Sequence, residues 1–120
     1  MARPKGTVLV VDDDAAIRLL CRVNLELDGW EVREAGSIAD ARARLADGAV
    51  GIVLLDVHVG HGSGLELLDE IRADRPAVRV AMLTGSIGTP TLDNSASPDA
   101  VISKPFTLEQ LRGTVADLAR

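Results

Sequence analysis

The sequence predicts a single α/β domain built on a parallel sheet, and the order of its hydrophobic segments supports this prediction. Short apolar, β-branched runs alternate with segments whose apolar residues recur at helical spacing. Three of the runs, 7–11, 50–55 and 78–83, are apolar almost throughout, as in strands covered on both faces. Alternating strands and helices imply right-handed crossovers, so we expect a doubly wound, five-stranded sheet with helices on both faces.

The five predicted strands share a short aliphatic run bounded by glycine, proline or charged residues. They cover residues 7–11, 31–35, 50–55, 78–83 and a short stretch around 101–102. The run 31–35, Glu-Val-Arg-Glu-Ala, alternates between polar and apolar residues. A strand of that pattern has one solvated face, so we place it at the edge of the sheet.

Four helices are predicted from apolar spacing and from the residues at their first and last turns. Their apolar residues are Ile17, Leu20 and Leu27, then Ala41 and Leu45, then Leu65, Leu68 and Ile71, and finally Leu111, Val115 and Leu118. Ser37–Asp40 resembles a capping box and Thr107–Gln110 is one, so helices should begin at these points. Gly29 is suited to end the first helix, and Arg75-Pro76 the third.

Composition narrows the class of protein. The chain has 120 residues, 47% hydrophobic and 26% charged, which fits one domain over 1–120. A net charge of -5 argues against a nucleic-acid-binding surface, which would be basic. The single cysteine, Cys21, allows no internal disulfide, and no apolar run is long enough to span a membrane. We expect a cytoplasmic, soluble domain that binds neither nucleic acid nor a membrane.

Polar residues follow the apolar strands at the points where the strands end. They are Asp12 and Asp13, then Asp56, then Thr84, then Lys104. The carboxyl ends of parallel strands lie at one edge of the sheet, where such folds bind ligands. Clustered carboxylates suit a hard cation such as Mg²⁺, while an ammonium and a hydroxyl suit the oxygens of a phosphoryl group.

Four motifs in this order, VLVVDDD, IVLLDVHVGHGSG, MLTG and SKPF, resemble the receiver domain of two-component response regulators. The resemblance runs from Thr7 to the last helix. It implies the flavodoxin-like strand order 2-1-3-4-5. It also implies that a sensor histidine kinase or a histidine phosphotransfer protein supplies a phosphoryl group to Asp56. In this reading the chain is a signalling domain that assists its own phosphorylation and dephosphorylation, and is not an enzyme.

The resemblance also assigns roles to the other residues at the strand ends. Mg²⁺ would be held directly by Asp13, mainly through water by Asp12, and also by Asp56 and the main-chain carbonyl of His58. Lys104 would pair with the phosphoryl oxygens, before a Lys-Pro bond that is often cis in the family. The Thr84 hydroxyl would bind the phosphate after transfer. The resulting change of conformation would alter contacts with a downstream protein.

Two other functions remain open at this point. A pseudo-receiver would act as an interaction module without phosphate. Asp12 and Asp14 also resemble the phosphoaspartate motif of haloacid-dehalogenase phosphatases, in which the first aspartate is attacked and the second is the acid-base. That reading leaves Asp56 unexplained. For Asp14 itself, an N-cap role is the preferred interpretation.

The chain departs from the receiver pattern in three places. Residues 86–97 are rich in Gly, Pro, Ser and Thr, so we expect the fourth helix of the family to be short, disordered or absent there. Val101 stands where the family often has an aromatic residue, and Gly60 where many receivers have proline. We expect no output domain after the last helix. We expect a monomer or weak dimer that either stands alone or belongs to a larger protein.

Overall fold

The computed structural model describes residues 5–85 and 97–120, and in them a five-stranded sheet is packed between helices. The strands are β1 (Thr7–Val11), β2 (Glu31–Ala35), β3 (Ile52–Asp56), β4 (Arg79–Thr84) and β5 (Ala100–Ser103). The helices of the described residues are α1 (Ala15–Leu27), α2 (Ile38–Ala46), α3 (Gly64–Asp74) and α4 (Leu108–Leu118). A separate hairpin pairs His58–Val59 with Gly62–Ser63.

All neighbouring strands of the sheet are parallel, and their order is β2-β1-β3-β4-β5. This confirms the order 2-1-3-4-5 and the edge position of β2. The carboxyl ends of the three neighbouring strands β2, β1 and β3 are level with one another. Val11 of β1 lies opposite Ala35 of β2 on one side and opposite Leu55 of β3 on the other. From β1 the chain goes first to β2 on one side and then to β3 on the other, so the strand order reverses between β1 and β3. The carboxyl ends of these two strands are therefore the expected ligand site.

Alternate residues of the strands face two cores. In β1, Leu9 and Val11 lie with α2 and α3, while Val8 and Val10 lie with α1 and α4. All four are fully buried. A strand covered on both faces cannot alternate polar with apolar residues, which explains the continuous apolar run of β1.

Two of the three apolar residues that predict α4 are fully buried, whereas two of the three that predict α1 are exposed. Leu111 and Val115 are fully buried. In α1, however, Leu20 and Leu27 are 39% and 80% exposed, and the core residues are instead Cys21 and Leu25. This helix carries two apolar stripes, and helical spacing alone cannot say which of them faces the sheet.

Helix ends follow the predicted capping residues. Asp14 accepts a hydrogen bond from the Ala16 amide (2.9 Å) and begins α1, while Gly29, with φ at +95°, lies just past its end. Thr107 and Gln110 form the complete capping box of α4. The segment 86–97, where a short, disordered or absent helix is expected, lies outside the described part of the chain except for Ser97.

Among the residues that the structure describes, no helix combines the length and the hydropathy that a membrane span needs.

Cys21 should be chemically protected in the folded protein. It is fully buried, and burial raises its pKa to about 11 from 9.0. That change lowers the thiolate fraction about 100-fold at neutral pH, and the thiolate is the reacting form. We expect iodoacetamide to alkylate the native protein at least about 100-fold more slowly than the urea-unfolded chain. Mass spectrometry measures both rates, and equal rates would contradict the burial.

Arg72 and Asp99 anchor the start of β5 to α3. The Arg72 guanidinium donates to Asp99 Oδ2 (2.7 Å), to the Ser97 carbonyl (3.0 Å) and to the Val78 carbonyl (2.9 Å). Asp99 Oδ2 also accepts from the Val80 amide (2.8 Å). Burial raises the pKa of Asp99, but these hydrogen bonds outweigh burial and hold the pKa below its ordinary value of 3.8.

Substituting Asp99→Asn should lower the free energy of unfolding at neutral pH by roughly 1.5 kcal/mol, the contribution of a charged hydrogen bond. A carboxyl whose folded-state pKa is lowered stabilises the protein above its unfolded-state pKa and loses this effect as pH falls through the folded-state value. The difference between wild type and variant should therefore narrow only below pH 3.8. Urea unfolding at a series of pH values measures the difference in free energy of unfolding between wild type and variant. If this difference stays constant into strong acid, the ion pair of Asp99 with Arg72 is contradicted.

Candidate functional site

The ends of four strands bring the predicted polar residues together. Asp12 and Asp13 directly follow β1, and Lys104 directly follows β5; Asp56 and Thr84 are the last residues of β3 and β4. The Lys104 amide donates to the Thr84 carbonyl at 2.7 Å, which continues the pairing of β4 with β5. The prediction that these residues share one edge of the sheet is confirmed.

Lys104 joins the two carboxylates nearest the interior. Its Nζ lies 2.8 Å from Asp12 Oδ2 and 3.2 Å from Asp56 Oδ2. Asp12 is fully buried, whereas the Asp56 side chain keeps 15% of its surface exposed. Of these two carboxylates, that of Asp56 is therefore the one open to solvent.

The pKa values of Asp12 and Lys104 follow from their burial and from their hydrogen bonds. Burial raises the pKa of Asp12 more than the hydrogen bonds from Lys104 and the Asp14 amide lower it. Burial lowers the pKa of Lys104, but its hydrogen bonds to Asp12 and Asp56 outweigh burial and raise it above 10.5. Lys104 is thus a protonated cation at neutral pH, available to a second anion at Asp56.

The donor set at this edge fits a hard cation. Carboxylate oxygens of Asp12, Asp13 and Asp56 lie within 4.8 Å of one another. Asp13 is exposed, so the cluster is open to solvent on that side. Oxygen ligands on one side and water on the other suit Mg²⁺, which binds few protein groups and keeps several waters.

The segment after Asp56 forms a hairpin. His58 pairs with Ser63, and Val59 with Gly62. Gly60 has φ at +60°, a left-handed value that glycine adopts without strain and that permits the tight turn. Its two strands have only two residues each, and one of these residues is a glycine, so they carry too weak a strand signal to be recognised from sequence.

Sequence reasoning missed two groups that contact the site. Arg18 on α1 donates to the Asp12 carbonyl at 2.7 Å and to Glu34 of β2 at 3.2 Å. The Gly60 amide donates to Asp13 Oδ2 at 3.0 Å. Both contacts involve a main-chain atom, so side-chain identity along the sequence gives no signal for them.

Thr84 ends β4, and Lys104 directly follows the neighbouring strand β5. Thr84 is 2% exposed at the carboxyl end of β4, one strand away from Asp56. The bond between Lys104 and Pro105 is cis. The His58 amide donates to Asp56 Oδ1 (3.3 Å), which ties the first residue of the hairpin to that carboxylate.

Asp14 does not join the cluster. Its carboxylate accepts hydrogen bonds from the amides of Ala16 and Ile17 at the start of α1. An acid-base role beside Asp12, as the phosphatase reading requires, would break this cap. The N-cap interpretation of Asp14 is confirmed.

Curated proteins similar to this chain include bacterial regulators. It is 34% identical over 122 residues to the response regulator protein PilR of Pseudomonas aeruginosa, which covers 100% of this chain and 27% of that protein. It is 31% identical over 107 residues to the probable transcriptional regulatory protein TcrX of Mycobacterium tuberculosis, covering 88% of this chain and 46% of that protein. The chain thus spans less than half the length of these two relatives.

Solved structures of similar fold include single receiver domains. A CheY-like response regulator receiver domain protein from Methanospirillum hungatei JF-1 matches with a TM-score of 0.85 and 29% identity, over 95% of this chain and 93% of that one. A response regulator from Thermotoga maritima matches with a TM-score of 0.84 and 32% identity, over 98% of both chains. The family model for the response regulator receiver domain matches residues 8–116. The chain belongs to the response regulator receiver domain family.

Proposed function

We propose that Asp56 accepts a phosphoryl group from the phosphohistidine of a sensor histidine kinase or a histidine phosphotransfer protein, with Mg²⁺ held at the same site. The observation that supports this most is the placement of Asp56 between a cation and two further carboxylates. Lys104 Nζ lies 3.2 Å from Asp56, and the carboxylates of Asp12 and Asp13 complete a cluster within 4.8 Å.

In the transfer, an Asp56 carboxylate oxygen attacks phosphorus in line with the phosphohistidine nitrogen, whose bond to phosphorus breaks. The donor imidazole leaves with that electron pair. Such a transition state needs positioning and neutralisation of the equatorial oxygens more than covalent help. Bound Mg²⁺ would supply part of that neutralisation, held by Asp13, Asp12, Asp56 and the main-chain carbonyl of His58. Lys104 supplies a further positive charge to the phosphoryl oxygens.

Phosphorylation at this position should change which contacts Thr84 and Lys104 make. In the structure Lys104 is engaged by Asp12 and Asp56. A phosphoryl group on Asp56 offers new acceptor oxygens to Lys104 and to the Thr84 hydroxyl. Contacts that differ between two states are what shifts a conformational equilibrium, so the chain acts as a switch for protein–protein contacts. Val101 stands where the family often has an aromatic residue, so other residues transmit the change of conformation.

The test uses a small-molecule donor, so that no kinase has to be known. The protein is incubated with phosphoramidate and Mg²⁺, and intact-mass spectrometry follows the addition of one phosphoryl group. Borohydride reduction of the acyl phosphate then maps the modified residue, which we expect to be Asp56. Chelation of Mg²⁺ should abolish the addition. A fully folded protein that takes up no phosphoryl group would contradict the proposal.

A further inference from the structure

The hairpin after β3 is tied to the carboxylate cluster at two points. The His58 amide donates to Asp56 Oδ1 at 3.3 Å, and the Gly60 amide donates to Asp13 Oδ2 at 3.0 Å. Asp13 and Gly60 are 47 residues apart in sequence and come from different strand ends. The hairpin therefore links the end of β1 to the end of β3 through the cluster itself.

The turn of the hairpin directs the Gly60 amide at Asp13. Cross-strand pairing of His58 with Ser63 and of Val59 with Gly62 holds the two sides of the turn. Gly60, at φ +60°, then orients its N–H in a way that most residues reach only with strain. Asp13 is exposed, and this is the one hydrogen bond that its carboxylate makes among the described residues.

We infer that the Gly60 main-chain N–H is a positioning donor for Asp13, one that prepares this carboxylate for the divalent cation. The inference rests on the proposed function, in which Asp13 is the direct metal ligand. An N–H on Oδ2 restricts rotation of an exposed carboxylate and leaves Oδ1 for the cation. Hydrogen bonds of this kind orient metal ligands, and their loss typically costs 10- to 100-fold in metal affinity.

The sharpest test removes this donor and leaves every side chain unchanged. In a semisynthetic protein, glycolic acid replaces Gly60, so an ester oxygen takes the place of the N–H. Gly60→Asn is the matched control, because asparagine keeps the N–H and tolerates a left-handed φ. The measurements are the Mg²⁺ dissociation constant by titration calorimetry and the midpoint of urea unfolding, each for wild type, ester and control.

We expect the ester protein to bind Mg²⁺ about tenfold more weakly than wild type, the lower end of the usual range because Asp13 is exposed. Gly60→Asn should bind like wild type. Equal or tighter binding by the ester protein, at an unchanged urea midpoint, would overturn the inference. If wild type itself binds no Mg²⁺, the metal role of the cluster fails first, which separates the two claims.

A spectroscopic signature gives a second and independent readout. In amide spectra, the Gly60 proton should lie downfield and exchange slowly while Asp13 accepts from it. Asp13→Ala should move this resonance upfield and speed its exchange, while the Gly113 amide in α4 stays unchanged. If Asp13→Ala changes neither the chemical shift nor the exchange rate of the Gly60 amide proton, the inference is overturned at any Mg²⁺ affinity.

Discussion

Asp56→Asn is expected to take up no phosphoryl group from phosphoramidate and Mg²⁺, a complete loss by intact-mass spectrometry. The amide of asparagine is not a nucleophile toward phosphorus, while its size matches the carboxylate it replaces. Asp56 lies at the end of β3 with its side chain 15% exposed, so the substitution leaves the strand and its pairing intact. Far-ultraviolet circular dichroism and urea unfolding verify the fold.

Asp14→Asn is the matched control for this loss. Asparagine caps a helix about as well as aspartate does, so α1 should keep its N-terminus and the protein its stability. Phosphorylation of Asp14→Asn should proceed as in wild type. The reverse pattern, in which Asp56→Asn is phosphorylated and Asp14→Asn is not, would favour a phosphatase that uses Asp12 and Asp14.

Gly64→Ala is expected to lower the free energy of unfolding by about 3 kcal/mol, the upper part of the range for overpacked sites. A Cβ at position 64 would overlap the carbonyl oxygen of Asp56 and lie 3.1 Å from that of Val57. Both contacts are with backbone, so the end of β3 itself has to move. Because Asp56 is the proposed phosphoacceptor, phosphorylation should also slow. Urea unfolding and the phosphoramidate assay measure the two effects.

Gly113→Ala is the same chemical change, but we expect it to raise the free energy of unfolding. This glycine lies within α4, and a Cβ there would meet no atom within 4 Å. Alanine is favoured over glycine inside a helix by about 0.5–1 kcal/mol, so this variant should be more stable than wild type. If both alanine variants changed stability alike, the close approach of Gly64 to Asp56 would be wrong.

The sheet and the acidic edge are predictable because both depend on residue type and order. Val8 to Val11 is continuously apolar, which is typical of a strand buried on both faces. Since parallel strands end at one edge, Asp12, Asp56 and Lys104 could be placed together before any distance was known. The ion pairs of Lys104 follow from that placement.

Other features depend on geometry that side-chain patterns do not encode. The contacts of Gly60 with Asp13 and of Arg18 with the Asp12 carbonyl use main-chain atoms, which every residue carries. In α1 the apolar residues form two stripes, and only packing decides that Leu25 is buried while Leu27 is exposed. The close approach of Gly64 to Asp56 likewise appears only in three dimensions.

Above all, we propose that phosphorylation of Asp56 changes the conformation of the protein. An amide NMR titration with Mg²⁺ and beryllofluoride, a mimic of the phosphoryl group, tests this most directly. Trp30 lies in the core with α1 and α4 and is a poor fluorescent reporter of the site. We expect shifts to begin at the carboxylate cluster, Thr84 and Lys104 and to spread along the chain. A spectrum unchanged by both additions would contradict phosphoryl acceptance and indicate a receiver fold that acts without phosphate.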